Sequence, residues 1–171
     1  MDALIQELRD AFNYDPETGL VTRKKRSGNS KVGYVVGSCK YDKYGNLKFL
    51  TVKYKNKSYV LNRLIWVIHY GKWPTYQVDH KDRDPSHNWI TNLRDIPGKL
   101  NALNKGTYRS NTLGVKGVST EGNRFRCSIT INSKKKHIGM FDTAEEAHAA
   151  YLEAKEKYHT AVIAQYEANN A

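Results

Sequence analysis

The sequence predicts an α+β fold: a small N-terminal module of mixed strands and helices with a strand–strand–helix motif, then a three-stranded antiparallel sheet packed on one C-terminal helix. Three observations predict this class. Short apolar runs with the two-residue period of strands are separated by turns rich in Gly and Asn, and the 3.6-residue period of helices returns at several places. A polar stretch at 106–113 reads as a linker between the two parts.

The first predicted element is a helix over residues 2–13. Asp2 can cap its N-terminus, and its apolar residues fall on one helical face; these are Leu4, Ile5, Leu8 and Phe12. Residues 15–19 form a turn, because Pro16 fixes one backbone angle and Gly19 permits the reversed one.

Four short strands are predicted next, over 19–23, 33–39, 47–54 and 57–60, with turns between them. Residues 61–70 have the apolar pattern of a short buried helix, which Gly71 ends. We therefore expect a strand-rich, basic module over residues 1–75.

The segment 76–105 is predicted to fold as strand, loop, strand and helix, with Pro97 in the first turn of that helix. About thirty residues are too few to bury an adequate core by themselves. We therefore expect this segment to fold together with residues 1–75.

The C-terminal domain is predicted over 114–165. Its central strand, 124–131, alternates strictly, and strands at 115–119 and 134–141 flank it. Thr143 and Glu146 have the spacing of a capping box, so a helix begins there. Because this helix covers one face of the sheet, the other face is free and carries Arg124 and Arg126.

Charge is large and unevenly distributed along the 171 residues, which carry a formal net charge of +11 with a pI near 9.6. Residues 22–63 hold 12 Lys and Arg against one acid, residues 105–141 hold 8 against one, and residues 142–171 hold 2 against 6. This pattern indicates two basic surfaces that face a polyanion and a terminal helix that faces away. The alternative is a basic protein whose charge serves solubility alone.

Several classes of protein are disfavoured by composition. Two cysteines, Cys39 and Cys127, are too few for a disulfide framework or for a structural zinc held by Cys pairs. No stretch reaches the ~18 apolar residues of a membrane span, and the N-terminus lacks a signal-peptide core. We expect a cytoplasmic protein without a membrane partner.

The chemically most informative residues are an adjacent acid and histidine, Asp79 and His80, followed by Asn92 and Asn101 at offsets of 12 and 21 from the histidine. A carboxylate and an amide oxygen are hard ligands suited to Mg²⁺. A neutral imidazole can take a proton from water. Adjacent strand residues point in opposite directions, so Asp79 and His80 can act together only at a strand end or bend.

Residues 78–104 resemble the HNH (ββα-metal) nucleases through Asp79-His80, Asn88, Asn92-Leu93-Arg94 and Asn101. The resemblance implies one divalent metal ion per chain, Mg²⁺ with Mn²⁺ as the alternative, held by Asp79 and Asn101. It also implies that His80 is the general base and that Asn92 orients the site.

Upstream motifs are similar to those of free-standing bacteriophage and intron-associated HNH enzymes. Residues 14–19 read Tyr-Asp-Pro-Glu-Thr-Gly, and residues 63–66 read Arg-Leu-Ile-Trp before Gly71 and Pro74. The residue before that Arg is frequently His in such proteins and is Asn62 here.

Residues 113–158 resemble the DNA-binding domain of plant ethylene-response factors, which lays a three-stranded sheet in the major groove. The resemblance implies base or phosphate contacts by Arg124 and Arg126. The remaining DNA-binding candidates are cations expected at phosphates: Lys116, Lys134, Lys136, Arg109, Arg23 and Lys24. The run at 23–26 fits either a phosphate clamp or a flexible charged loop.

The leading hypothesis is a metal-dependent endonuclease acting on double-stranded DNA. One such site cuts one strand per binding event, so a monomer would nick, and a double-strand break would need a DNA-assembled dimer or a second event. Homing-type mobility is implied by the resemblance alone. The alternatives are a sequence-specific DNA-binding regulator with an inactive nuclease motif, and an RNA-binding or structural protein that uses some of its 12 tyrosines for stacking.

Overall fold

The computed structural model describes residues 2–26, 28, 30–104, 106, 111, 113–131 and 133–169. The chain divides into two compact units, Met1–Asn104 and Lys105–Ala171. Helices and antiparallel sheets occur in both units, which confirms the α+β class. None of the helices in these described residues has the length and apolar character that crossing a bilayer requires.

The N-terminal unit begins with helix α1, Ala3–Ala11, which is capped by the Asp2 side chain through a 3.0 Å bond from the Leu4 amide. This helix is shorter than predicted, because Phe12 adopts extended backbone angles and begins strand β1, Phe12–Tyr14. Strand β1 pairs with β2, Val21–Arg23. Phe12 is fully buried and packs edge-on against Tyr54, so the extended conformation brings an aromatic ring into the core.

A three-stranded antiparallel sheet follows, in the order β3–β4–β5, with bounds Ser38–Tyr41, Leu47–Tyr54 and Lys57–Val60. The strand predicted over 33–39 is wrong over most of its length. Gly33 and Gly37 take positive φ angles of 78° and 142°, and these break the extended run, so β3 begins at Ser38, and Val35 makes an isolated bridge to Thr22.

Helix α2, Leu61–Tyr70, has the predicted bounds and ends at Gly71 in the left-handed region. It buries Leu64, Ile65 and Val67 against α1 and β1 in the core of this unit. Full burial of a branched apolar side chain stabilises a fold by about 1.5–3 kcal/mol. Helix α2 therefore gives a fixed base to the segment that follows it, residues 77–96.

The predicted strand–strand–helix motif consists of β6, β7 and α3, with bounds Gln77–His80, Leu93–Ile96 and Gly98–Asn104. The strands are antiparallel, with His80 opposite Leu93 and Asp79 opposite Arg94. A short helical turn, Ile90–Asn92, leads into β7. Pro97 lies just before α3, where its carbonyl accepts bonds from the amides of Leu100 and Asn101.

The C-terminal unit contains the predicted three-stranded antiparallel sheet, in the order β10–β9–β8. Its strands are β8, Val118–Glu121; β9, Arg124–Ile131; and β10, Lys134–Phe141. Helix α4, Ala144–Lys155, begins with the predicted capping box of Thr143 and Glu146, and its Ala147 and Tyr151 are buried against the sheet. A π-helical segment, Glu156–Thr160, connects α4 to α5, Ala161–Asn169.

Candidate active site

The end of strand β6 brings the adjacent acid and histidine to one cavity. His80 is the last residue of β6, which is the position at which neighbouring strand residues can serve a common site. A cavity of about 170 Å³ is lined by both Asp79 and His80, together with Lys48 from β4, Asn62 from α2 and Asn88 from the hairpin loop. The surrounding elements therefore build a concave site around the predicted pair.

One oxygen of Asp79 is occupied by three N–H donors. Arg94 donates from Nε and Nη2 to Oδ2 at 3.1 and 2.9 Å, and Asn104 donates from Nδ2 at 3.1 Å. The Arg94 and Asp79 side chains are only 10% and 15% exposed, so this ion pair is largely shielded from water. These bonds fix the carboxylate with its other oxygen, Oδ1, toward helix α3.

The amide of Asn101 lies between Asp79 and Gln77. One of its terminal atoms is 2.9 Å from Oδ1 and 3.2 Å from Oδ2 of Asp79, and the other is 3.1 Å from Oε1 of Gln77. In one orientation the Asn101 nitrogen donates to Asp79. In the other orientation the Asn101 nitrogen donates to Gln77, and the Asn101 oxygen faces the Asp79 carboxylate. Asn101 and Asp79 then present two hydrogen-bond acceptors to each other, and a cation between them would stabilise this arrangement.

The side-chain oxygens of Asp79 and Asn101 are ligands of the kind that a hard divalent ion prefers. When the Asn101 amide turns its oxygen toward Asp79, a carboxylate and an amide oxygen face each other, and Mg²⁺ is commonly bound through few protein oxygens with water completing its shell. Among the described residues, no three His, Cys, Asp or Glu side chains converge as a metal-binding group.

His80 is held by a residue to which the sequence assigned no role. Nε2 of His80 lies 3.2 Å from Oδ1 of Asn88, and both side chains are buried, with 9% and 3% exposure. Asn88 belongs to the pattern of residues shared with the HNH nucleases, which was the one signal in the sequence that could have pointed to it.

Asn92 closes the hairpin loop. Its Oδ1 accepts from the Asp82 amide at 3.2 Å, and its Nδ2 donates to Oδ1 of Asp82 at 3.0 Å and to the His87 carbonyl at 2.7 Å. These contacts all lie within the loop, so Asn92 shapes the segment that follows His80.

The loop also contains an acid with a strongly perturbed pKa. Burial raises the pKa of Asp82, but bonds from the Asp84 amide, the Asn92 amide and the His87 ring outweigh it and lower the value to about 2. His87 Nδ1 lies 2.6 Å from Oδ2 of Asp82, and its ring stacks on Trp89. His87 is thus part of the loop structure.

Two side chains of α2 donate hydrogen bonds to backbone carbonyls in and just before strand β6. Asn62, at the position that is frequently His in similar enzymes, donates from Nδ2 to the Val78 carbonyl at 2.9 Å. Arg63 donates from Nη1 to the Tyr76 carbonyl at 2.9 Å. Both contacts hold the backbone that immediately precedes Asp79.

The basic candidates of the N-terminal unit make contacts within that unit. Arg23 donates to the Lys53 carbonyl at 3.0 Å and lies over the Phe12 ring, and Lys24 donates to the Arg9 carbonyl at 2.9 Å. The run at 23–26 therefore begins with two cations that also tie β2 to its neighbours.

The arginines of β9 lie beside acids. Arg124 pairs with Asp142 at 2.9 Å, and Arg126 pairs with Glu121 at 3.2 Å; all four side chains are at least 43% exposed. Arg126 and Arg124 share a face of β9, since strand residues two apart point the same way.

The lysine candidates of the C-terminal unit are distributed differently. Lys134 and Lys136 stand opposite Ile131 and Ile129 in the β9–β10 register, and Lys136 donates to the Tyr158 hydroxyl at 2.9 Å. They thus lie on the face that α4 covers rather than beside Arg126. Lys116 lies in the turn before β8, and Arg109 falls outside the described residues.

Comparison with known proteins gives two similarities. Residues 59–103, which include α2, the hairpin and most of α3, match the family model described as HNH endonuclease. Protein 3.8 of Escherichia phage T7 is 32% identical over 95 residues, which cover 54% of this chain and 78% of that protein. No solved structure matches the chain significantly.

Proposed function

The chain belongs to the same family as protein 3.8 of phage T7 and carries an HNH endonuclease domain, and from this premise we propose that it hydrolyses phosphodiester bonds in double-stranded DNA with the aid of one divalent metal ion. The observation that carries the proposal is the cavity at the end of β6, which Asp79 and His80 both line. The amide of Asn101, 2.9 Å from Oδ1 of Asp79, adds a second candidate oxygen ligand beside this carboxylate.

His80 acts as the general base in this proposal. A neutral imidazole takes a proton from water as the water attacks phosphorus, and a base placed by buried partners is ready for that transfer without rearrangement. The bond between His80 and Asn88 supplies such placement, because both side chains are buried.

Asp79 and Asn101 would hold the metal ion through their side-chain oxygens, and an ion bound there would neutralise the negative charge that develops on the phosphate oxygens. Mg²⁺ suits this pair of oxygen ligands best, and Mn²⁺ shares the preference for oxygen. Arg94 and Asn104 orient the carboxylate by saturating its other oxygen.

DNA binding is assigned to the basic surfaces. In the C-terminal unit, the exposed face of the sheet carries Arg124 and Arg126, the arrangement that the resemblance to ethylene-response-factor domains implies. Both arginines are engaged by exposed acids, and exposed ion pairs contribute about 0–1 kcal/mol. Exchanging Asp142 or Glu121 for a phosphate or a guanine edge therefore costs little.

The expected product is a nick. One base and one metal site per chain act on one strand in each binding event, so a double-strand break requires two chains on the DNA or two events. Mobility of the homing type and a specific target site extend the resemblance to phage and intron-associated enzymes.

The test is cleavage of supercoiled plasmid in Mg²⁺, with and without EDTA, by the wild-type protein and by His80→Ala. We expect metal-dependent conversion to open circle that His80→Ala loses while its affinity for DNA, measured by gel shift, is nearly unchanged. His148→Ala, which removes a half-buried histidine from α4, away from the sheet face of Arg124 and Arg126, is the matched control and should still cleave. Cleavage retained by His80→Ala would overturn the role of the base.

A wild-type protein that shifts DNA but cuts neither plasmid nor genomic DNA in Mg²⁺ or Mn²⁺ would favour the alternative, a DNA-binding regulator with an inactive nuclease motif. A linear product formed without an open-circle intermediate would instead indicate paired active sites.

A further inference from the structure

The side-chain amide of Asn88 is held in one orientation. Its Nδ2 donates to the carbonyls of Pro85 and Ser86 at 3.1 and 3.2 Å. Since a carbonyl oxygen cannot donate, rotating the amide by half a turn would place the Asn88 oxygen against two other acceptors. The side chain is 3% exposed, so water cannot readily compensate that loss.

This orientation determines the proton position on His80. Oδ1 of Asn88, 3.2 Å from Nε2 of His80, can only accept a hydrogen bond, so Nε2 must carry the proton. In a neutral imidazole only one nitrogen carries a proton, and Nδ1 is then the nitrogen with the lone pair.

We propose that Asn88 is a positioning residue that keeps the His80 proton on Nε2 and so makes Nδ1 the atom that accepts a proton from the attacking water. The second half of this inference rests on the proposed function, whereas the first half is a property of the resting protein. Asn88 acts through His80 and need not touch DNA or metal.

The turn at 14–19, near the start of the chain, holds the backbone at Asn88 in place. The Tyr14 hydroxyl donates to the Asn88 carbonyl at 2.9 Å, and the Ile90 amide donates to the Pro16 carbonyl at 3.1 Å. These two bonds lie on either side of Trp89 and fix the backbone that carries Asn88.

Gly19 allows this turn to approach so closely. A Cβ at this position would come within 2.5 Å of the Asn88 carbonyl carbon and 2.6 Å of the Trp89 nitrogen, and its φ of 75° also favours glycine. The motif of residues 14–19 thus has a structural purpose: it supports the loop that sets the tautomer of His80.

The tautomer can be measured by ¹⁵N NMR on the metal-free, DNA-free protein, above the pH range in which histidine is protonated. The His80 signals are assigned by their loss in His80→Ala. We expect a protonated Nε2 and a lone pair on Nδ1 in the wild type. The opposite tautomer would overturn the proposal even if the protein proves to be an active nuclease.

Variants at Asn88 test the cause. Asn88→Ala removes the acceptor, so His80 should populate both tautomers and kcat should fall roughly ten- to a hundredfold, as for other supporting residues of active sites. KM and DNA affinity should stay unchanged. Asn88→Asp keeps an acceptor for Nε2 but places its second oxygen against the carbonyls of Pro85 and Ser86, so it should keep the Nε2 proton and lower the stability of the fold.

Tyr14→Phe tests the support of the loop, with Tyr34→Phe, an exposed tyrosine of the same unit, as its control. We expect the first to broaden or shift the His80 signals and lower kcat, and the second to do neither. Unchanged tautomer and kcat in a folded Asn88→Ala protein would refute the role of Asn88. If this variant fails to fold, the wild-type tautomer alone decides the proposal.

Discussion

Replacing Arg94 by Met probes the ion pair that orients Asp79. The substitution keeps an unbranched side chain but removes two charge-assisted bonds to Oδ2 and leaves a carboxylate that is 15% exposed and that still accepts a bond from Asn104. Removing one partner of a buried pair costs about 3–5 kcal/mol. Because some water reaches both side chains, we expect a loss near the lower limit, about 3 kcal/mol.

The assay is thermal and urea unfolding of the metal-free protein. A loss of about 3 kcal/mol corresponds to a fall of roughly 12–24 °C in the melting temperature of a unit of about one hundred residues. Lys55→Met is the matched control: Lys55 and Glu7 form a similarly short pair at 2.7 Å, but their side chains are 65% and 46% exposed. We expect little change there, because water screens an exposed pair.

Metal binding supplies a second readout. Because Arg94 holds the Asp79 carboxylate in one orientation, Arg94→Met should bind Mn²⁺ more weakly as well as unfold more easily. Equal small losses of stability in Arg94→Met and Lys55→Met would refute the reasoning, because the Asp79–Arg94 pair would then behave as a surface contact.

Three further predictions concern the metal, the loop and the DNA surface. Asn101→Leu should weaken Mn²⁺ binding, followed by electron paramagnetic resonance, by about tenfold or more, and unchanged binding would remove Asn101 from the ligand set. The folded-state pKa of Asp82, about 2, lies below its usual 3.8, so its stabilising contribution is present above pH 4 and disappears as the pH falls toward 2. Asp82→Asn should therefore flatten the pH dependence of unfolding in that window, and an identical slope in both proteins would contradict this. Arg126→Ala should weaken DNA binding and, if it contacts a phosphate, reduce the slope of log affinity on log salt by about one; binding that does not depend on salt would argue against two basic surfaces.

Elements that depend on local interactions were predictable. The capping box of Thr143 and Glu146 joins residues three apart, and the helix at 61–70 ends at a glycine that can take the left-handed conformation. Strict alternation along β9 likewise gave the correct central strand of the C-terminal sheet. In each case the interactions that decide the conformation lie within a few residues of one another.

Elements whose ends depend on distant residues were predicted less well. Phe12 fits the apolar face of α1, but it leaves the helix and packs against Tyr54, which lies in another strand. The apolar residues near 33–37 suit a strand, yet Gly33 and Gly37 bend the backbone there. Helical or strand periodicity cannot rank such competing contacts, because the partner is remote in sequence.

The sequence by itself determined which chemical groups the candidate site contains. Spacing and resemblance identified Asp79, His80, Asn92 and Asn101, because carboxylate, imidazole and amide groups are properties of single residues. Only the tertiary structure decided which atoms of these groups are available. Arg94 saturates one oxygen of Asp79, and the bonds of Asn88 select one nitrogen of His80, since hydrogen bonds between side chains depend on positions and orientations that folding brings together.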